Sequence, residues 1–450
     1  MNWNTRTRVT SYLRSSLWII PIVAVIMEQI VAAIIRALDA RFGLQGAELG
    51  VDGAKALCGA VITFALSFIV FTFGSLLVAI QVASGQYTPR IIATTLLRDN
   101  VIRYTVGGFV FTLLFAIQAL NRIETSVPQL VLVITALLGI GCLIAFLFLI
   151  DYAARMLRPV SLVKRVGDAE LRVLASVYPE ITDQPCAKAP AQDPGPVERT
   201  VLHRGTPGIV LAVNIPQLKA EAERTNGVIE FAPQVGDFVS AAEPLFLLHG
   251  GAAAVDDDTL HRSVILGIER TMEQDPLFGF RILVDIAIKA LSAAINDPTT
   301  AVLALDQLHR VLRSAGRRNL RADSILDSSG RLRVIFRTPD WNDFVHLACC
   351  EIRFYGASNV QIARRLRAMI FNLANTLPGE RHAALRQELE LLDAMLEKLY
   401  LLPADLALAR IADSQGLGGS TLTTEPKWAA KPDPSTDERN TKLTDLCLTT

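Results

Sequence analysis

Hydrophobic and polar positions divide this chain into two unequal parts. Its longest uncharged run, Ala56 to Pro89, holds no Asp, Glu, Lys or Arg. A helix rises about 1.5 Å per residue, so about 20 mainly apolar residues cross a bilayer's hydrocarbon core. Three other runs approach that length. The pattern predicts membrane spans at about 17–35, 56–80, 104–121 and 128–150, which makes 1–155 a transmembrane domain. The first run follows a basic start (Arg6, Arg8, Arg14), as a signal peptide would. Its length, Pro21, the missing small-residue cleavage site and the three runs behind it predict an uncleaved helix.

After residue 155 the periods change. Leu162, Val166, Leu171 and Leu174 share one helical face, and a linker with five prolines follows, so 156–198 reads as a helical exit and tether. Short apolar runs at 208–213, 227–231 and 244–248, bounded by turn residues, predict a small β-rich module at 199–250, with a helix at 215–224. The turn at Val235–Val239 resembles the Gly-Asp turn of small biotinyl or lipoyl barrels. No Lys stands in a matching hairpin, so no cofactor is expected. Residues 256–412 read as mainly helical. Asp256, Asp257 and Asp258 suit a helix N-terminus, before a helix at 260–273. Further helices are expected at 280–295, 298–312, 343–355, 360–373 and 383–399, and one strand at 331–336. Residues 413–450 are rich in Gly, Ser, Thr and Pro and are expected to be disordered. The fold class is thus four transmembrane α-helices with a cytoplasmic α+β region, itself a barrel-like β-rich module and a helical domain.

Composition sharpens this in two places. Hydrophobic residues are 51% and charged residues 20%, and the net charge is zero, so no global field argues for nucleic acid. Six Cys and six His are scattered with no ligand spacing, so neither a disulfide framework nor a metal site is predicted. Basic residues near the span ends (Arg90, Arg98, Arg103, and Arg155, Arg158, Lys164, Arg165) outnumber those of the first and third connections. This places both termini in the cytoplasm.

Two groups of residues carry candidate chemistry. On the second span, Thr63, Ser67 and Ser75 form a hydroxyl stripe, and Gln86, Tyr87, Thr88 and Arg90 follow at its end. Such a set can line a pore or its mouth, or simply pack helices and meet lipid headgroups. Arg281, Asp285, Lys289, Ser292 and Asn296 recur at i, i+4 (once i, i+3) on an otherwise apolar helix. Buried polar groups must be satisfied, so the line is either an ion-pair ladder or a site for an anionic ligand or second subunit. Glu28 and Gln29 interrupt the first span, where the choice is a functional carboxylate or one snorkelling to the interface. Arg364, Arg365 and Arg367 read as a solvated basic face.

Three stretches resemble a bacterial family of predicted membrane proteins, domain of unknown function 2254: ASGQYTPR at 83–90, VGDFV at 235–239, and ERTMEQDPLFGFRILVDIAIKALSAAINDPTTA at 269–301. The resemblance covers roughly residues 10–400 and implies an integral membrane protein of this layout. It brings no catalytic residues. Relatives often carry Pro where this chain has Ala293, so a helix kink there is not carried over. No phosphate-binding loop, nucleophile elbow or metal-protease motif is present, which argues against an enzyme. The expected function is a homo-oligomeric channel or transport-type protein controlled by its cytoplasmic domain, with membrane lipid as partner and a small ion or anionic ligand. The alternative is a membrane-anchored sensor or scaffold that transports nothing.

Overall fold

A computed structural model describes residues 16, 18–42, 50–86, 99–123, 129–156, 158–181, 192–320 and 323–419. Four helices form the first part: α1 (Ile19–Phe42), α2 (Val51–Gln86), α3 (Asn100–Leu120) and α4 (Gln129–Met156). Among them, Val51–Gln81, Asn100–Leu120 and Gln129–Met156 are long and apolar enough to cross a membrane, while the apolar part of α1 is the shorter Ile19–Ile35. The four expected spans therefore correspond to three of full length and one shorter apolar helix.

Their outer surface is apolar, with Val70, Leu77, Leu137 and Ile144 all more than 60% exposed. A contiguous face of that kind calls for a non-aqueous surrounding. Inside, Phe68 stacks on Phe146 at 4.1 Å and tilts against Phe109 at 5.7 Å. α2 and α4 approach closely at Gly139, where a Cβ would come within 2.7 Å of Val61. Glu28 is fully buried, and its Oε2 accepts from Gln29 at 2.9 Å and from Gln118 on α3 at 3.0 Å. The interfacial, snorkelling reading of Glu28 gives way to an inward one, because α3 supplies an amide donor at that level.

α5 (Pro159–Val177) leads out of the bundle. Proline takes its first turn, where no amide hydrogen is needed. Two sheets follow, not a closed barrel. The larger has the order β1-β5-β3-β8-β7, from Val197–Leu202, Pro244–Gly250, Gly227–Gln234, Leu332–Arg337 and Ser324–Leu326. The smaller has the order β4-β2-β6, from Phe238–Val239, Gly208–Val213 and Val264–Gly267. Val210, Val213 and Val264 of the smaller sheet share one core with Ile229, Phe246 and Val334 of the larger, under α6 (Ile215–Thr225). Strands β7 and β8 come from beyond residue 320, so the sheet draws on sequence that the pattern assigned to the helical domain.

The helix expected at 260–273 is replaced. α7 (Asp257–Arg262), capped by Asp256, ends after one and a half turns, and Val264–Gly267 pairs with β2 instead. The β-branched Val264 and Ile265 suit a pleated, half-buried surface. The remaining helices are α8 (Phe278–Ala290), α9 (Pro298–Gly316), α10 (Trp341–Gly356), α11 (Val360–Thr376), α12 (His382–Leu399) and α13 (Pro403–Ala409). They form one core with α5 and the near end of the membrane helices.

Arg364, Arg365 and Arg367 are 1%, 5% and 5% exposed, so the solvated basic face is overturned. Arg364 donates to the carbonyls of Ile411 and Gly418, Arg365 pairs with Asp306, and Arg367 with Asp393. Residues 413–419, placed by composition in the tail, fold back to supply part of this cover. Asp413 is fully buried and accepts from the backbone of Gln415.

Candidate functional site: the linking helix and its cavity

Helix α5 joins three features. Its apolar stripe, Leu162, Val163, Val166, Val173 and Leu174, is buried against α8 and α9. Beside that stripe, Arg165 reaches back to the bundle. Its Nη1 donates to Asp99 Oδ2 at 2.8 Å and its Nη2 to the Tyr152 hydroxyl at 2.8 Å. Tyr152 in turn donates to Asp99 Oδ2 at 2.6 Å. The other oxygen of Asp99 caps α3 through the amides of Val101 and Ile102. One carboxylate thus ties the start of α3, the end of α4 and the first half of α5.

Further along α5 the environment inverts. Glu170 is fully buried, and no side-chain donor among the described residues reaches its carboxyl oxygens. The backbone of Gly279 lies against it, so closely that a Cβ at 279 would overlap the carboxyl. Burial, and then the negative charge of nearby Asp275, push the Glu170 carboxyl well above its usual range. Asp275 is 3% exposed, and one of its oxygens accepts from the Leu277 amide at 3.1 Å. Burial raises it to about 6, although Arg270, 3.7 Å away, pulls the other way. A desolvated carboxyl prefers its neutral form.

At the end of α5, Tyr178 is fully buried and donates to the Pro339 carbonyl at 2.9 Å. Burial pushes its phenol up as well. Ser176, Val177 and Tyr178 then form one wall of a cavity of about 480 Å³ between the sheets and the helices. The volume falls within the range of about 300–1,000 Å³ usual for small-molecule sites. Phe231, Gln234, Phe336 and Arg337 line it from the ends of β3 and β8. These two strands run parallel, with Gln234 opposite Arg337 and a register shift between Phe231 and Gln234. A bulge there re-aims side chains, as bulges near sites commonly do. Gln274, in the long stretch preceding α8, lines the cavity and is anchored by accepting from the Val213 amide at 2.9 Å.

The residues singled out by sequence fall elsewhere. Thr63, Ser67 and Ser75 are exposed on α2 and turn away from the bundle interior. Thr63 donates to the Gly59 carbonyl and Ser75 to that of Thr72, each within its own helix. Ser75 borders an apolar groove of about 190 Å³ between α2, α3 and α4. Tyr87, Thr88, Arg90 and the side chain of Gln86 lie outside the described residues. Arg281 pairs with Asp285 on its own helix and with Glu351 on α10. The line then breaks, because α8 ends at Ala290. Ser292 bonds back to the Lys289 carbonyl, and Asn296 sits in the left-handed region with φ 47°. Arg281 therefore pairs within its own helix to Asp285 and across to Glu351 on α10, while Ser292 and Asn296 belong to the turn before α9.

Sequence reasoning missed Asp99, Tyr152, Arg165, Glu170 and Arg337. Glu170 left a signal: it is an acid at i, i+4 from Val166 and Leu174 on the apolar stripe of α5. Asp99, Tyr152 and Arg165 left none, since they lie 13 to 66 residues apart in sequence.

The family described as "Predicted membrane protein (DUF2254)" matches residues 14–372. The chain belongs to that family. The match takes in the four apolar helices, α5, both sheets and the cavity between them. Among curated relatives, uncharacterized proteins of Mycobacterium bovis and Mycobacterium tuberculosis are each 24% identical over 452 residues, covering 96% of this chain and 85% of the relative. No solved structure is similar to this DUF2254 protein.

Proposed function

We propose that this DUF2254 protein is a multi-pass inner-membrane sensor whose cytoplasmic region binds a small molecule in the 480 Å³ cavity and signals to the bundle. The observation that carries this reading is α5. Its last residues wall the cavity, while its Arg165 is bonded to Asp99 and Tyr152 of the bundle. Thirteen residues of one helix separate Arg165 from Tyr178, about 20 Å at 1.5 Å per residue. A ligand that favours one position of Tyr178 and its neighbours shifts a rigid helix, and only such a difference in affinity moves an equilibrium. The basic residues at the span ends support the cytoplasmic side for this region.

The test uses the full chain in lipid nanodiscs incubated with a bacterial small-molecule extract, with retained compounds identified by mass spectrometry. A retained compound is expected to be lost in Ser324→Trp, which fills the cavity. Amide hydrogen exchange is expected to slow at 159–178 and at 99–103 when it binds, the second change disappearing in Arg165→Gln. Retention of no compound, or binding that leaves 99–103 unchanged, would sink the reading.

A second reading is a homo-oligomeric channel controlled by the same region. It is favoured by an outward seam on α2: Ala60, Thr63, Ser67, Val70, Gly74, Leu77 and Gln81 recur at 3–4 spacing and are all exposed. A pore on this reading lies between copies, since the hydroxyls turn away from the bundle of one chain. Ion flux into proteoliposomes, with modification of Thr63→Cys and Ser67→Cys by a water-soluble thiol reagent, is its expected signature.

A further inference from the structure

The cavity has a chemical character that narrows what it takes. Its walls are apolar where they are built from Val177, Val213, Ile215, Phe231 and Phe336. Its neutral polar groups are amides and hydroxyls, from Gln234, Gln274, Asn319, Ser324 and Thr338. Two lining residues carry charge, Glu180 and Arg337, and they are not equivalent. Glu180 is engaged with Asn319, which donates to its carboxylate at 3.0 Å and, through its backbone amide, to its carbonyl at 3.0 Å. The Arg337 guanidinium has no ion pair or hydrogen bond among the described residues. The contrast within β8 is direct: Arg333, four residues earlier, spends its guanidinium on Asp327, Asn226 and the Gly227 carbonyl. Arg337 also sits opposite Gln234 at the carboxyl ends of two parallel strands, beside the register shift between them. Ligands in α/β folds gather at such strand ends.

We infer that the cavity binds an amphipathic organic anion, with its carboxylate or phosphate held by Arg337 and its apolar body between Phe336, Val177 and Ile215. The guanidinium fork matches the two oxygens of such a group. Gln234, opposite Arg337 on β3, and Gln274 on another wall add neutral amides, and the apolar walls favour a ligand carrying more than the anionic head. This inference rests on the reading of the cavity as a ligand site.

The experiment uses two photoreactive probes of one shape, 4-benzoylbenzoate and the uncharged 4-benzoylbenzamide. Each is irradiated with the full chain in nanodiscs, and labelled peptides are mapped by mass spectrometry. The carboxylate is expected to label peptides containing 176–180, 231–235 and 336–339. Arg337→Gln is expected to cut that labelling by about tenfold, the scale of one charge-assisted pair, and Arg337→Lys to keep most of it. The amide probe is expected to label weakly and equally in all three proteins. Arg337 is exposed, and its guanidinium is unpaired among the described residues, so its replacement leaves no buried charge behind, and an unchanged melting temperature checks this. Equal labelling by both probes, unaffected by Arg337→Gln, overturns the anion while leaving the cavity as a site. Labelling of these peptides by neither probe above the level in Ser324→Trp overturns both.

Discussion

The two halves of α5 hold their polar groups in opposite ways. At Arg165 every partner is paired: Asp99 accepts from two amides, a phenol and a guanidinium. At Glu170, one and a half turns later, a carboxyl is sealed among apolar groups with Asp275 nearby. The first half fastens the helix to the membrane bundle by charge. The second fits it against α8 by shape, and burial there favours the neutral form of the carboxyl. The lesson is that the same residue type, an acid on or beside one helix, is a tie at one end and a latent liability at the other. Removing the carboxylate charge should therefore cost much at Asp99 and little at Glu170.

Asp99→Ala is expected to have the largest effect. It removes a helix cap worth about 1 kcal/mol and strands Arg165, and breaking a partly buried pair from one side costs about 3 kcal/mol. The measurement is thermal unfolding in detergent together with amide exchange. A drop in melting temperature with faster exchange at 99–103 and 159–166 is expected. A variant as stable as the parent would show that the bonds at Asp99 do not fasten α5.

Next comes Gly279→Ala. The added methyl meets the Glu170 carboxyl, so one of the two helices must shift, at about 1–3 kcal/mol. Glu170→Gln should cost little, because an amide matches the protonated carboxyl in shape. Pairing the two substitutions does not rescue the loss, since Gln is as large as Glu. Glu170→Ala with Gly279→Ala should restore part of it, and a double-mutant cycle reads that coupling.

The pH dependence separates the two halves again. Asp275 is held at about 6 against an ordinary 3.8, so on raising the pH the unfolded chain releases this proton before the folded one. The folded state then binds more protons than the unfolded state, and stability falls from about pH 4 to about pH 6, levelling off above. Glu170, raised well above 4.5, continues the same decline to higher pH. Asp275→Asn keeps an oxygen for the Leu277 amide and loses the titration. Urea unfolding of the two proteins across pH 4 to 7 should show a shallower decline in the variant. Parallel profiles would mean that Asp275 ionises alike in both states.

Much of this architecture was legible because it rests on period and composition. The uncharged runs gave the apolar helices, and Asp256 gave the start of α7 as an N-cap. What stayed hidden depends on distance in space. The strand at 264–267 reads as helix until β2 is there to pair with it. The arginines of α11 read as solvated because their cover, Asp306, Asp393 and the segment around Ile411, lies 26 to 59 residues away in the chain. The cavity is less legible still. Its lining comes from seven separate stretches between 176 and 339, and nothing in any one of them points to the others.

The smallest expected effect lies at Ser67, on the outward face of α2, and it bears on the contrast between buried and lipid-facing helix surfaces. If lipid covers this face, Ser67→Leu exchanges an exposed hydroxyl for an apolar side chain that favours the hydrocarbon core by about half a kcal/mol. The melting temperature should then stay level or rise slightly, and the mass of the purified particle should not change. If a second copy covers it, the seam depends on small residues for close approach, and Leu at 67 holds the two helices apart. Light scattering in detergent distinguishes these outcomes directly. A fall in particle mass in Ser67→Leu, with Leu77→Ala leaving it intact, places a second chain on the seam and favours a pore between copies. An unchanged mass in both leaves α2 facing lipid, and function then rests on α5 and the cavity it borders.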